Sequence, residues 1–258
     1  MIDTRSLITP HLIRNKNFYV AYSGGVDSTV LLKEVCEAAK KVNCNVTAIH
    51  INHGYSKFSD NWEQHCEKFC IEHDYPLQKF SLNIAEAEGA SLESAMREKR
   101  YEIFQSLIGK NETLFMGHHL DDQIETLFFR ILRGSGLKGS SSIPFKRNLG
   151  KGLLVRPFLN LSKNEIYEIA KLKKLKFIED ESNKDIKFDR NFLRNEVIEK
   201  ISERWPNYRK SLSKYIENQK SSHEFLKEIT TIELKKILHG KNIDVNKLKK
   251  YDLSLIHI

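Results

Sequence analysis

Four short apolar runs, each followed by a longer amphipathic stretch, restrict the first 160 residues to a small set of folds. The runs at residues 18–22, 46–51, 76–82 and 113–116 have strand length, and the stretches at 27–41, 59–73, 91–108 and 121–132 have helical period. In the first of these helices Val26, Val30, Ala38 and Val42, with Leu31 and Val35, make one apolar face. Strand and helix alternating in this way specify βαβ units, hence a doubly wound α/β layer with a mainly parallel sheet. Residues 133–152 accumulate glycine, serine and Pro144 without periodicity and read as a long mobile loop, an active-site flap in a compact domain. An extended piece at 153–155 and a helix starting near Ser162 follow. Residues 180–194 show little apolar periodicity, and lysine-rich helices are expected after Asn195, punctuated by Trp205-Pro206.

The expected organisation is one catalytic domain over residues 1–200, a helical segment over 201–252 that starts a truncated C-terminal region, and an extraneous tail at 253–258. The tail, Leu253-Ser254-Leu255-Ile256-His257-Ile258, matches the translation of a transposon-type sequencing adapter, CTGTCTCTTATACACATC, and is set aside from fold reasoning. The apolar content of 40% and charged content of 29% are those of a soluble globular protein, and no apolar run approaches membrane-spanning length. The N-terminus lacks the features of a secretory signal, so a cytoplasmic location is expected. The net charge of +8 biases the chain toward a polyanion, although solvated lysine faces account for it equally well. Cys36, Cys44, Cys66 and Cys70 have no disulfide-framework spacing; Cys66 and Cys70, with His73 nearby, fit the spacing of a zinc knuckle poorly.

The string Tyr22-Ser23-Gly24-Gly25-Val26-Asp27-Ser28 follows an apolar strand and precedes an amphipathic helix. Adjacent glycines let the backbone turn sharply and approach an anion, with helix N–H groups and the helix dipole aimed at it. Ser23 and Ser28 add donors. This geometry suits a pyrophosphate, yet it is neither the Walker form nor the dinucleotide fingerprint. The plainer alternative is a tight turn with Ser23 or Asp27 capping the helix. Asp27 repels phosphate by charge, so its role fits beside a magnesium ion.

The second constellation, Gly117-His118-His119-Leu120-Asp121-Asp122-Gln123-Ile124-Glu125-Thr126, ends the fourth strand and opens a helix, where open α/β sheets bind ligands. Asp122 and Glu125 share a helix face and could hold a cation or an amine. The plainer alternative has Asp121 and Asp122 capping the helix. Adjacent histidines point different ways, which argues against a shared metal.

These residues carry a resemblance. The string at 22–28 is similar to the PP-loop of ATP pyrophosphatases. With residues 50–54 (HINHG), 93–101, 117–126, 130–139 (RILRGSGLKG), 156–158 (RPF) and 189–194 (DRNFLR), in this order, the chain to about Arg194 resembles the tRNA(Ile)-lysidine synthetases. The resemblance implies an adenine nucleotide alpha hydrolase-like PP-loop fold. It also implies a ligase that adenylates the wobble cytidine of an isoleucine tRNA with a CAU anticodon and then lets the amine of free lysine displace AMP. ATP and magnesium are the implied cofactors. Ser23, Gly24, Gly25, Val26, Asp27 and Ser28 match the ATP motif; Asp27, Asp122 and Glu125 match catalytic carboxylates, with Asp27 and Asp122 the magnesium candidates. Arg190 and Arg194 suit phosphate or tRNA contact, and for Arg97 and Arg100 that role stands level with a plain exposed charged face.

Two positions depart from the family pattern: Tyr55-Ser56 where Leu-Arg is common, and Asp180-Glu181-Ser182-Asn183 where Asp-Pro-Ser/Thr-Asn is common. Two other functions compete. A PP-loop tRNA thiolase would need catalytic or cluster-binding cysteines, often Cys-x-x-Cys, which this sequence lacks. A catalytically silent RNA-binding protein on the same fold would not need both carboxylates. Oligomeric state is left open, with a homodimer among the allowed forms.

Overall fold

A computed structural model describes residues 4–12, 16–54, 58–82, 90–179, 186–239, 242–243 and 249. The departures at Tyr55-Ser56 and Asp180-Glu181-Ser182-Asn183, and the tail at 253–258, lie outside the described residues. After a short helix α1 (Thr4–Ile8), the chain alternates β1 (Asn17–Ala21), α2 (Val26–Lys41), β2 (Asn45–Asn52), α3 (Ser59–His73), β3 (Leu77–Ser81), α4 (Ala90–Leu107), β4 (Thr113–Phe115) and α5 (Leu120–Ile131). Then come α6 (Leu137–Ser140), β5 (Lys146–Leu149), β6 (Gly152–Val155) and α7 (Lys163–Leu172). The six strands form one sheet in the order β3-β2-β1-β4-β6-β5, parallel except for the antiparallel edge pair β5–β6.

Period-two alternation sorts the strand residues between two cores, as helices on both sheet faces require. Phe18 and Val20 of β1, Val46 and Ala48 of β2, Phe115 and Val155 face the helix layer of α2, α3 and α7, where Val30, Leu31, Phe69 and Ile166 are buried. Ile49 and Ile51 of β2, Leu114 and Leu154 face the opposite way, against Tyr101, Phe104 and Ile108. In α7, Ser162 caps the helix and Glu165 closes a capping box, the device expected where the helix was read to start.

The expected mobile loop at 133–152 is corrected: it holds α6 and the edge strand β5. Its ties come from outside its own sequence. The buried Gln123 side chain accepts from Ile143 N–H at 2.7 Å and donates to Ile143 O at 3.1 Å, and Arg130 Nη1 donates to Ser142 O at 2.8 Å. A four-residue strand paired to a neighbour across a Gly150 turn, φ +55°, is too short to leave a periodic signal. Downstream, α8 (Asp189–Phe192), a π-helical turn at Leu193–Ile198, α9 (Glu199–Arg204) and the long α10 (Tyr208–Ile237) follow. Ile198, Tyr208 and Leu212 pack on Ile124 and Phe128 of α5, which anchors this helical stretch to the sheet domain. Among the described residues no helix is long and apolar enough to cross a membrane.

Candidate active site

β1 and β4 are neighbours, but the chain leaves β1 toward β2 on one side and β4 toward β6 on the other. This is the topological switch point of the sheet, and the crevice outside its carboxyl ends is where an open α/β sheet binds ligands. The two sequence motifs are the loops after these two strands. They touch: a Cβ on Gly117 would lie 3.1 Å from the carbonyl carbon of Asp27, so any other residue here would push the two loops apart by a few tenths of an ångström.

The first loop is held from within. Ser28 Oγ accepts from Ser23 N–H at 3.2 Å and donates to Gly25 O at 3.0 Å, while Ser23 Oγ lies 3.1 Å from it. Gly24 sits at φ +85°, and a Cβ there would meet Cys66 Sγ and Ile178 Cδ1, each at 2.9 Å. Ile178 N–H donates to Gly24 O at 2.9 Å, and His50 Nδ1 is 3.0 Å from Tyr22 O. The N-cap is Gly25 with no side-chain cap, so neither Ser23 nor Asp27 caps α2, and Val26 is buried as its first residue. The start of α2 is therefore open to an anion.

In the second loop the plainer alternative, capping by Asp121 and Asp122, holds for Asp122 alone, as one half of a capping box. The N-cap is His119, whose Nδ1 accepts from Asp122 N–H at 3.4 Å while Asp122 Oδ2 accepts from His119 N–H at 3.0 Å. Asp121 instead accepts from Arg209 Nε at 2.7 Å and Lys163 N–H at 2.8 Å, tying α10 and α7 to α5. His119 Nε2 then lies 3.7 Å from Asp27 Oδ1 and 3.6 Å from Asp122 Oδ2, between the two loops. Asp27 Oδ1 is buried with no hydrogen-bond partner among the described residues, and burial, only partly offset by His119, pushes this carboxyl above its usual range. Burial pulls on Asp122 the same way, but His119, His118 and Arg190 outweigh it and hold Asp122 low.

Glu125 is treated differently. Its side chain is 1% exposed, and Arg194 Nε at 2.7 Å, Arg194 Nη2 at 3.0 Å and Arg190 Nε at 3.0 Å occupy both oxygens. Arg190 Nη2 also lies 3.6 Å from Asp122 Oδ1. A π-helical turn, often found at functional sites, starts just before Arg194. Sequence spacing put Asp122 and Glu125 on one face; the structure adds that Glu125 is already matched by two guanidiniums.

Two cavities meet here. The smaller, about 200 Å³, runs from Ser23, Gly25 and Asp27 to apolar Ile49, Ile51 and Phe104, with His53 at its wall. Burial and the nearby Arg100 bring His53 down to about 4. The larger cleft, about 1870 Å³, is lined by Arg97, Arg130, Arg147, Arg156 and Glu125, with Lys220 of α10 opposite. Arg147 and Arg97 lie 4.6 and 5.2 Å from the Tyr101 ring centre, and Arg100 5.9 Å. Among the described residues Arg97, Arg147 and Arg156 have no carboxylate within 4 Å, a surplus of positive charge facing a concave surface. His118, His119, Tyr101 and Arg147 carry no role in the sequence reading. Arg147 lies in the stretch whose lack of periodicity reads as a loop, and adjacent histidines in a sequence suggest nothing beyond metal ligation.

Cys66 and Cys70 lie in the core, and burial pushes both thiols up to about 12. Among the described residues no cluster of three or more His, Cys, Asp or Glu could hold a metal by itself. The unpartnered Asp27 oxygen near Asp122 does fit magnesium, which binds through one or two carboxylates and takes its other ligands from phosphates and water.

A glycine-turned phosphate cradle at the switch point of a parallel sheet, with a carboxylate at its mouth, defines a nucleotide-handling α/β protein. Residues 3–201 match the family model described as the PP-loop domain, and the chain belongs to that family. It is 41% identical over 228 residues to a tRNA(Ile)-lysidine synthase of Pseudomonas putida, covering 88% of this chain and 53% of that protein. It is 46% identical over 198 residues to a tRNA(Ile)-lysidine synthase of Buchnera aphidicola, covering 77% and 45%. The chain thus spans about half the length of the curated relatives it matches. The solved U34-tRNA thiolase NcsA of Methanococcus maripaludis, with its 4Fe-4S cluster, superposes with TM-score 0.62 at 19% identity, covering 84% of this chain and 77% of that one, a likeness of fold.

Proposed function

We propose that the chain carries the catalytic part of a tRNA(Ile)-lysidine synthase, a carbon–nitrogen ligase that uses ATP, magnesium, free lysine and an isoleucine tRNA with a CAU anticodon. The observation that carries this reading is the junction, at His118, of a phosphate-cradle pocket lined by Asp27 and Asp122 with an arginine-lined cleft. One cavity suits a nucleotide and the other a polyanion, and the reaction requires the two to meet.

In the first step the C2 carbonyl oxygen of the wobble cytidine attacks the α-phosphorus of ATP. The new oxygen–phosphorus bond forms as the bond to pyrophosphate breaks, its electron pair leaving with pyrophosphate. In the second step the lysine amine bonds to C2, the C2–oxygen bond breaks with its electron pair leaving as AMP, and the amine proton passes to solvent. Ser23, Gly24, Gly25, Val26 and Ser28 bind the phosphates by backbone N–H and hydroxyl groups. Asp27 and Asp122 would hold magnesium, which supplies charge neutralisation of the phosphates when bound. Arg97 and Arg147 receive tRNA phosphates. Glu125 receives the lysine ammonium once Arg190 and Arg194 turn to phosphate, a change the ion-paired geometry requires.

Cys36, Cys66 and Cys70 are buried in the helix-side core, away from solvent, which favours nitrogen over sulfur as the second nucleophile. The test is incubation with ATP, magnesium, radiolabelled lysine and the CAU isoleucine tRNA. Label in RNA is expected. Pyrophosphate release without label would sink the lysine step, and no tRNA-dependent pyrophosphate would favour a silent RNA-binding protein.

A further inference from the structure

His118 is the residue where the two cavities join: among the described residues it alone lines both. Its protonation pattern is dictated by its neighbour. Arg156 Nε donates to His118 Nδ1 at 3.2 Å, and a guanidinium has no acceptor, so Nδ1 must present a lone pair. The ring is then neutral, with its proton on Nε2. Burial agrees with this: against the opposing pull of Asp122, and with the positive charge of Arg156, Arg100 and Arg190, it brings His118 down to about 3.

Arg156 is itself immobilised. It is 2% exposed, its Nη1 donates to Pro144 O at 2.7 Å, and its own backbone N–H donates to Phe145 O at 2.9 Å. The β5–β6 hairpin thereby fixes the tautomer of a histidine that belongs to the loop after β4. Among the described residues His118 makes no second hydrogen bond, so Nε2–H is the polar group it has left to offer the opening.

Resting on the adenylation reading above, we propose that His118 is a catalytic residue whose Nε2–H donates a hydrogen bond to a non-bridging oxygen of the phosphoryl group as it passes between pyrophosphate and the base, with Arg156 as the positioning residue that keeps the proton on Nε2. The place follows from the two cavities: the α-phosphorus must stand where the nucleotide pocket opens into the cleft. A neutral donor suits this step because it stabilises charge on the phosphoryl oxygens and keeps its proton throughout. The neighbouring His119 is committed elsewhere, capping α5 between Asp27 and Asp122.

The test is single-turnover pyrophosphate release with saturating tRNA, alongside nitrogen NMR of the histidine rings in the full chain. His118→Ala should slow release about 100-fold while leaving the KM for ATP within about threefold. His118→Gln, which keeps an N–H donor, should recover about tenfold of that loss. The NMR signature of His118 should be the neutral ring protonated on Nε2, and Arg156→Met should abolish that single-tautomer signature. Undiminished release by His118→Ala, or an Nδ1-protonated ring in the unmutated protein, would overturn the proposal. If His118→Ala does not fold, an unaltered rate in His118→Phe or a His118→Gln no better than His118→Phe overturns it equally. An unmutated protein that releases no pyrophosphate would instead refute the adenylation reading, and the tautomer measurement would still stand or fall by itself.

Discussion

Asp27 and Glu125 are carboxylates at opposite ends of one site, and the fold treats them in contrary ways. Asp27 has a buried oxygen with no hydrogen-bond partner among the described residues, whereas both oxygens of the more deeply buried Glu125 are held by guanidiniums. A buried carboxylate oxygen without a partner is costly even though the Asp27 side chain is 29% exposed, and a ligand at that oxygen would offset the cost. Glu125 has already been neutralised by the protein's own cations. A ligand ammonium can reach it only by exchange with Arg190 or Arg194. Under the proposed function, the phosphate end would take a cation that comes with the nucleotide, and the far end would exchange an arginine for the lysine ammonium.

The sharpest way to break this comparison is Asp27→Ala. Pyrophosphate release should fall at least about a thousandfold, since the carboxylate that would hold magnesium beside the leaving pyrophosphate is lost. The thermal midpoint should stay the same or rise, because no hydrogen bond of Asp27 Oδ1 is sacrificed. A protein that unfolds on this change would show that Asp27 is structural.

Next in size is Glu125→Gln. Two guanidiniums lose their counter-charge, and a destabilisation of about 2 kcal/mol is expected, below the range for fully buried pairs because both arginines are part exposed. Lysine incorporation should fall more than pyrophosphate release measured without lysine. Equal loss of both would move Glu125 to the metal or ATP site.

Gly24→Ala probes the cradle itself. At φ +85°, with Cys66 Sγ and Ile178 Cδ1 2.9 Å from the added carbon, the strain should cost about 1–2 kcal/mol. The KM for ATP, read by initial rates, should rise about tenfold with a smaller change in kcat. An unchanged KM would show that the loop conformation does not matter to the nucleotide.

The smallest effect is a pH dependence. Burial raises the folded-state pKa of Asp27 above that of the unfolded chain, so its ionisation opposes folding. The penalty is absent below the ordinary carboxylate value of 3.8, grows as pH rises through it, and is complete above the raised value. Asp27→Asn should therefore raise the melting temperature most at neutral pH, and the gain should vanish by about pH 3. A gain independent of pH would assign it to something other than this charge.

Much of the fold was legible because its signals are local. The strand at 18–22 and the helix at 27–41 fall within one residue of β1 and α2, since burial on a sheet or helix face imposes period 2 or 3.6 on neighbouring residues. The edge strand β5 was missed for the converse reason: its four residues gain their meaning only from Gly152–Val155 beside them and from Gln123 and Arg130 at a distance.

The candidate site divides along the same line. The sequence by itself marked the phosphate cradle, because its local bonds, from Ser23 to Ser28 and Ser28 to Gly25, close within residues 23–28, while the bond from Ile178 to Gly24 is added by the tertiary structure. Only the tertiary structure decided that β1 lies beside β4, which brings Asp27 to His119 and Asp122. It alone decided that Glu125 meets arginines 65 and 69 residues later, and that Arg156 sets the tautomer of a histidine 38 residues earlier. Charges and hydrogen bonds act through space, and a linear pattern records the types of such partners without recording which of them the folded chain brings within reach.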